Sequence, residues 1–338
     1  MCSGRAAERF RRIETRFPRS EWAGRAKKAR GDLALRDVRL RSDLFTVQAQ
    51  GRVQEVAKNG PFTGTAKLVS SRWAELPPLK GRIPPALSGG TLALTLRAQD
   101  AAPSAARNVA GRADLRGATY RITLNNQPKR IQLQQAIADF RLAGNRLTIP
   151  SYRVVTPHFR TSGSGHGRQQ GTGRNADWLV HAQGVLSSGD AGQLLRWYTG
   201  DQPVNGGALT ANYVVDTRTS QLSRPAVTAR LRLTNARPVL PKGTLPFSAE
   251  EARIVALTGL FRLNQGEVRF QDLVWQAPRF RVAGSGTYRS GQVAGNFRLS
   301  TPAWQRIAGD VARGLPVSGG TLVLTGHLQG PIDQLRRL

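Results

Sequence analysis

Cysteine is nearly missing from this sequence. Of 338 residues one is cysteine, Cys2, so neither a disulfide framework nor a thiolate metal site is available. Histidine is almost as scarce: His158, His166, His181 and His327 are scattered, and none has a partner at the spacing of a helical metal-ligand pair. The 21 acidic residues do not cluster and offer no paired carboxylates for acid–base work. No run of 18 apolar residues occurs, so no segment is apolar enough to span a bilayer as a helix. The first thirty residues carry charge without the apolar stretch of a secretory signal. Glycine-rich stretches at Gly165-His166-Gly167 and Gly171-Thr172-Gly173 fall between predicted strands, and no G-K-[ST] follows them. Gly163-Ser164-Gly165 and Gly284-Ser285-Gly286 end alternating strands and lack the full elbow that presents a nucleophilic serine. Glycines there serve strands that bend or bulge. These absences argue against an enzyme, and no cofactor or metal is implied.

Positive charge, by contrast, is abundant. Lysine and arginine total 50, the net charge is +29, and only seven of the 50 are lysine. Such a balance points to nucleic acid or an anionic membrane surface. The arginines, however, fall one at a time and often at alternate positions, as in Arg36, Arg39 and Arg41, Arg230 and Arg232, or Arg279 and Arg281. A solvent-facing strand surface has this spacing, and no RNA- or DNA-reading motif accompanies it. A nucleic-acid partner is therefore disfavoured.

After residue 30 the hydrophobic pattern has a period of two almost throughout. Leu92-Ala93-Leu94-Thr95-Leu96-Arg97, Ala229-Arg230-Leu231-Arg232-Leu233 and Val268-Arg269-Phe270-Gln271 each place one face on an apolar environment and the other in water. Short turns separate the runs, at Ala143-Gly144-Asn145, Asn125-Asn126-Gln127-Pro128, Asn264-Gln265-Gly266 and Arg289-Ser290-Gly291. Strands so joined pair as antiparallel hairpins in a meander. Helical pattern is confined to a basic stretch at residues 4–17 and to short pieces around Asp190–Tyr198 and Pro302–Arg313.

Four unlike landmarks recur in constant order at intervals of about 115 residues. A Gly-Gly pair enters a strand at Gly89-Gly90, Gly206-Gly207 and Gly319-Gly320. A strand that opens on phenylalanine and runs into glycine begins at Phe45, Phe159 and Phe280. A tryptophan precedes each Gly-Gly pair, at Trp73, Trp197 and Trp304. A fourth landmark pairs the strand at Gly111–Leu115 with that at Ala229–Leu233. The tryptophans fit two readings, a plug at the end of each repeat's core or the lining of an apolar channel. The frame divides the chain into a basic, partly helical arm at 1–30, a partial β-repeat at 31–87, full repeats at 88–204 and 205–317, and the start of another at 318–338. Such out-of-phase ends lead us to expect a piece of a longer array.

The combination of Ser-Gly-Gly-Thr-Leu-x-Leu, the strand Phe280-Arg281-Val282-Ala283-Gly284-Ser285-Gly286 and the closing Gly326-His327-Leu328-Gln329-Gly330-Pro331 resembles the AsmA-like superfamily of bacterial envelope proteins. The resemblance covers residues 31–338 and implies an all-β fold: an elongated, curled antiparallel sheet forming a repeating β-groove, with short helices between repeats. It implies a periplasmic protein, anchored at the inner membrane through a part missing from this chain. Such a protein would hold phospholipid acyl chains for transport between membranes, and its partners would be membrane surfaces and possible outer-membrane proteins. Alternation then selects Leu92, Leu94, Leu96, Leu231, Leu233, Val268, Phe270, Phe280, Val282, Leu322 and Leu324 as the lining. A non-catalytic scaffold for outer-membrane biogenesis is the alternative, with its groove filled by its own side chains.

Overall fold

The computed structural model describes residues 21–29, 32–54, 62–76, 87–99, 108–124, 127–171, 177–200, 202–221, 225–239, 248, 250–264, 266–302 and 320–331. The chain is all-β and antiparallel, with 18 strands, one α-helix and two short 3-10 segments among the described residues. It divides into two compact units, Met1–Pro157 and His158–Leu338.

The first unit holds β1 (Glu21–Ala29), β2 (Asp32–Arg41), β3 (Thr46–Val53), β4 (Phe62–Ser70), β5 (Leu87–Ser88), β6 (Thr91–Gln99), β7 (Asn108–Leu124), β8 (Gln127–Ala143) and β9 (Arg146–Val155). Each strand pairs with the next along the chain, except that β4 pairs with β6 and the two-residue β5 pairs with β7. The second unit holds β10 (Arg160–Gln170), β11 (Asp177–Ser188), α1 (Ala191–Thr199), β12 (Val204–Arg218), β13 (Ala226–Pro238), β14 (Ile254–Asn264), β15 (Glu267–Gln276), β16 (Arg281–Arg289), β17 (Gln292–Thr301) and β18 (Leu322–Pro331). Its strands pair strictly in chain order. The helix expected near Asp190 is α1. Asp190 caps it by accepting a hydrogen bond from the Gln193 N–H, and Gly200 ends it in the left-handed conformation. The helices expected at 4–17 and around Trp304 lie outside the described residues.

Register turns the period-two pattern into continuous rows. In the second unit Leu209, Leu233, Leu257, Trp275, Val282, Leu299 and Leu324 are successive cross-strand partners from β12 to β18. In the first, Leu40, Val47, Leu68, Leu94, Ala113, Ala138 and Tyr152 form a similar row from β2 to β9. The rows stay aligned across several register shifts, two of them at the left-handed Asp37 (φ 50°) and Asp272 (φ 51°), between Leu35 and Val38 and between Phe270 and Leu273. Aspartate tolerates this left-handed backbone better than most side chains.

The Gly-Gly pairs have a steric cause. Gly89, Gly90, Gly206 and Gly207 all have positive φ, between 63° and 88°. A Cβ on Gly90 would stand 2.3 Å from the Arg116 carbonyl oxygen, and one on Gly207 would stand 2.6 Å from Ala236 Cβ. The neighbouring Ala118 and Ala236 are completely buried. Gly90 therefore lets its strand approach the backbone of the next, and Gly207 leaves room for the buried Ala236 and the Leu233 side chain, each at one end of its unit.

That end is also where the cores lie. Phe45, Trp73 and Leu76 form one buried cluster, which Leu40, Val47, Leu68 and Leu92 flank. Ala191, Val204, Leu233, Ala236 and Ile254 form a second, and Ala252, Ala277 and Phe280 a third. A hydroxyl fastens each aromatic landmark. Ser70, Ser188 and Thr301, the last residues of β4, β11 and β17, donate to the carbonyls of Leu44, His158 and Arg279 at 2.6, 2.7 and 2.7 Å. Each acceptor immediately precedes a landmark phenylalanine, and the three hydroxyl residues are 2%, 6% and 0% exposed.

Candidate ligand-binding face

On β6, Leu92, Leu94 and Leu96 are half-buried and alternate with exposed Thr91, Ala93, Thr95 and Arg97. On β13, Leu231 is half-buried and Leu233 buried, while Arg230 and Arg232 are exposed. Val268 and Phe270 on β15, Val282 on β16 and Leu322 on β18 are half-buried, and Leu324 is 40% exposed. The register brings the members in the second unit onto one face: Leu233 shares a row with Val282 and Leu324, and Val268 and Phe270 face Leu263 and Phe261. Phe280 is 4% exposed and packs in the end cluster with Ala252, Ala277 and Trp275, so it closes the end of that face.

Glycines on this face accommodate rings. A Cβ on Gly111 would meet the Phe140 ring at 2.7 Å, one on Gly286 the Phe270 ring at 2.6 Å, and one on Gly326 the Phe297 ring at 2.5 Å. These glycines thus make room for aromatic side chains one strand away.

Coverage of this face is slight. Among the described residues the substantial contacts within each unit are between neighbouring strands, with α1 resting on β12 and touching β13. Within each unit the described strands form one antiparallel sheet. Tyr288, Phe297 and Leu324, all on this face, are 37%, 38% and 40% exposed. A sheet with one apolar face ordinarily buries it against another layer.

Trp73 fits the plug reading. Trp73 is 3% exposed and donates its Nε1–H to the Gly89 carbonyl at 3.0 Å, so it plugs its core and ties itself to the Gly-Gly pair. Trp197 is half-buried and stacks on His158 at 5.7 Å, with Phe159 beside it at 6.4 Å. Trp275 meets Phe280 edge-on at 5.1 Å. Trp304 lies outside the described residues.

The opposite face is mostly polar, although Val69, Leu179, Val185 and Val323 on it are 42–48% exposed. On it His181 Nδ1 lies 2.7 Å from Asp216 Oδ1, and the His166 ring is 4.9 Å from the His181 ring. Ser164, two residues from His166, makes no hydrogen bond to either histidine. Asp177 accepts from the Ser220 and Thr219 hydroxyls and from the Ser220 and Trp178 amides, which holds its carboxyl down at about 2. Asp114 is held below the usual carboxylate range chiefly by its hydrogen bond from Arg116. Among the described residues no three His, Cys, Asp or Glu side chains are placed to hold a metal ion, and no helix is long and apolar enough to cross a membrane.

Sequence reasoning missed the hydroxyl fastenings and the Gly–aromatic pairs. Serine or threonine just before each Trp segment was the available signal for the first, and Gly-x-Gly in an apolar strand for the second. No protein-family model, curated protein or solved structure matches this chain.

Proposed function

We propose that this chain holds phospholipid acyl chains against its apolar strand face, as part of an AsmA-like envelope protein that carries lipid between membranes. The observation that supports this reading is the half-buried apolar face, on which Tyr288, Phe297 and Leu324 are each more than a third exposed. Acyl chains would relieve that exposure at about 0.8 kcal/mol for each CH₂ buried. Flat aromatic and branched aliphatic side chains suit methylene chains, which make no demand for hydrogen bonds. Movement along the face would be passive or driven by another component.

The test is lipid content. Purified protein is extracted and its lipids are quantified by mass spectrometry, beside Leu231→Arg on the apolar face and Thr228→Arg on the polar one. The wild type and Thr228→Arg retain phospholipid, and Leu231→Arg loses most of it. No lipid in the wild type, or unchanged lipid in Leu231→Arg with the fold intact by circular dichroism, would overturn the proposal.

A further inference from the structure

The polar face gathers charge at one place. Arg262 on β14 and Arg269 on β15 are direct cross-strand partners, and Glu267 faces Arg289 on β16. All three arginines are exposed. With Asn264 and Glu267 they line a cleft of about 390 Å³ beside the turns that end these hairpins. Like charges directly opposite on a sheet repel, so the Arg262–Arg269 pair weakens the ladder unless an anion sits between them. Glu267 offsets one of the three charges, at 2.5 Å from Arg269 Nε. Among the described residues no carboxylate pairs with Arg262 or Arg289, which leaves the cleft with a surplus of two positive charges.

We propose that Arg262, Arg269 and Arg289 form a binding site for a phosphate dianion of the phosphomonoester type. Guanidinium forks match terminal phosphate oxygens in pairs, and charge-assisted hydrogen bonds of this kind are about twice as strong as neutral ones. The Asn264 amide adds a neutral donor. Two uncompensated charges match the dianion. The cleft is of a size that takes a phosphate with a small group attached, near the low end of the roughly 300–1,000 Å³ usual for ligand sites. A soluble ester and a lipid headgroup both supply this phosphate, and the site itself does not depend on the acyl-chain reading.

Binding is measured on the full chain with inorganic phosphate by calorimetry, and with phosphatidylcholine vesicles containing or lacking phosphatidate by co-sedimentation. The cleft variant is Arg262→Gln with Arg289→Gln. A control, Arg230→Gln with Arg298→Gln, removes the same charge from exposed positions outside the cleft. The cleft variant weakens binding about tenfold or more, the loss expected for two charge-assisted contacts. The control changes it less than about twofold, because screened charge at a distance contributes little. Binding of free phosphate that depends on the cleft assigns a soluble source, and cleft-dependent binding of phosphatidate vesicles alone assigns the headgroup. Equal losses in the two variants, or no saturable binding in either format, overturn the proposal. Leu231→Arg leaves the phosphate affinity unchanged, so failure of the lipid reading and failure of this one are distinguishable.

Discussion

Replacing each glycine of one Gly-Gly pair by alanine separates backbone strain from crowding. Gly206 (φ 63°) and Gly207 (φ 88°) are adjacent and both left-handed, but a Cβ on Gly206 meets nothing within 4 Å. A Cβ on Gly207 meets Ala236 Cβ at 2.6 Å, Leu233 Cδ1 at 3.0 Å and the Thr234 carbonyl oxygen at 3.1 Å. The leucine end can rotate, but Ala236 is completely buried and has nowhere to retreat. Left-handed backbone costs an L-residue about 1–2 kcal/mol. Alanine recovers about 0.4–1 kcal/mol by narrowing the unfolded ensemble. Gly206→Ala should therefore destabilise by about 0–1.6 kcal/mol. Gly207→Ala carries the same strain plus an overpacking cost of about 1–3 kcal/mol, and that increment is the expected difference between the variants. Urea unfolding followed by tryptophan fluorescence reports it, since Trp275 packs on the cluster that contains Leu233 and Ala236. The m-value should stay constant, so that the midpoint alone carries the change. Stabilities of the two variants within about 0.5 kcal/mol of each other would refute the steric explanation of the motif.

Two further outcomes follow from the same end of the sheet and from the polar face. Ser70→Ala removes the donor to the Leu44 carbonyl and the acceptor for the Arg72 amide at 3.1 Å, in a site 2% exposed. It should cost about 1–3 kcal/mol in urea unfolding, and a loss below about 0.5 kcal/mol would deny the hydroxyl its fastening role. Asp177 is held at about 2 in the folded chain against an ordinary value of 3.8, by the Ser220 hydroxyl first and the Thr219 hydroxyl next. Because the folded value is the lower one, the stability this carboxylate adds is whole above the ordinary value and disappears as pH falls toward about 2. Thermal melts across that window should show a steeper acid loss for the wild type than for Asp177→Asn; parallel profiles would rule the linkage out.

Alternation was enough to read the strands, because a half-buried strand must place apolar side chains at every second position. It also grouped Leu231 with Leu233 and Val268 with Phe270. What alternation does not contain is register. That Leu233 lies beside Leu209 and Leu257 depends on turn lengths, and that Trp275 lies beside Val282 depends on where Asp272 inserts a bulge; aspartate in a strand carries no distinctive mark of that role. The hydroxyl fastenings were hidden for a similar reason. Ser70, Ser188 and Thr301 reach back 26, 30 and 22 residues to their acceptors, so no fixed spacing ties donor to acceptor. The arginine cleft was equally illegible, since Arg262, Arg269 and Arg289 sit on three strands and look like separate members of a solvated face. The Gly-Gly pair was the opposite case: conspicuous as a repeat, yet unexplained until its backbone contact with the next strand was seen.

These elements assign different tasks to different parts of each unit. Hydroxyl fastenings, aromatic landmarks and Gly-Gly contacts concentrate the fully buried groups at one end. The rest of the apolar face contributes rows of half-buried side chains. An open face of this kind gains little from burial within the chain, so the sheet must draw its stability from the ladder and from the clusters at its end. Substitution at Ser70 or Gly207 then acts on folding, because it disturbs groups that are already dehydrated. Substitution at Leu231 should cost the fold less, because that side chain is only half-buried. The division follows from burial alone, and it lets the lipid reading be tested at positions where loss of ligand is not loss of fold.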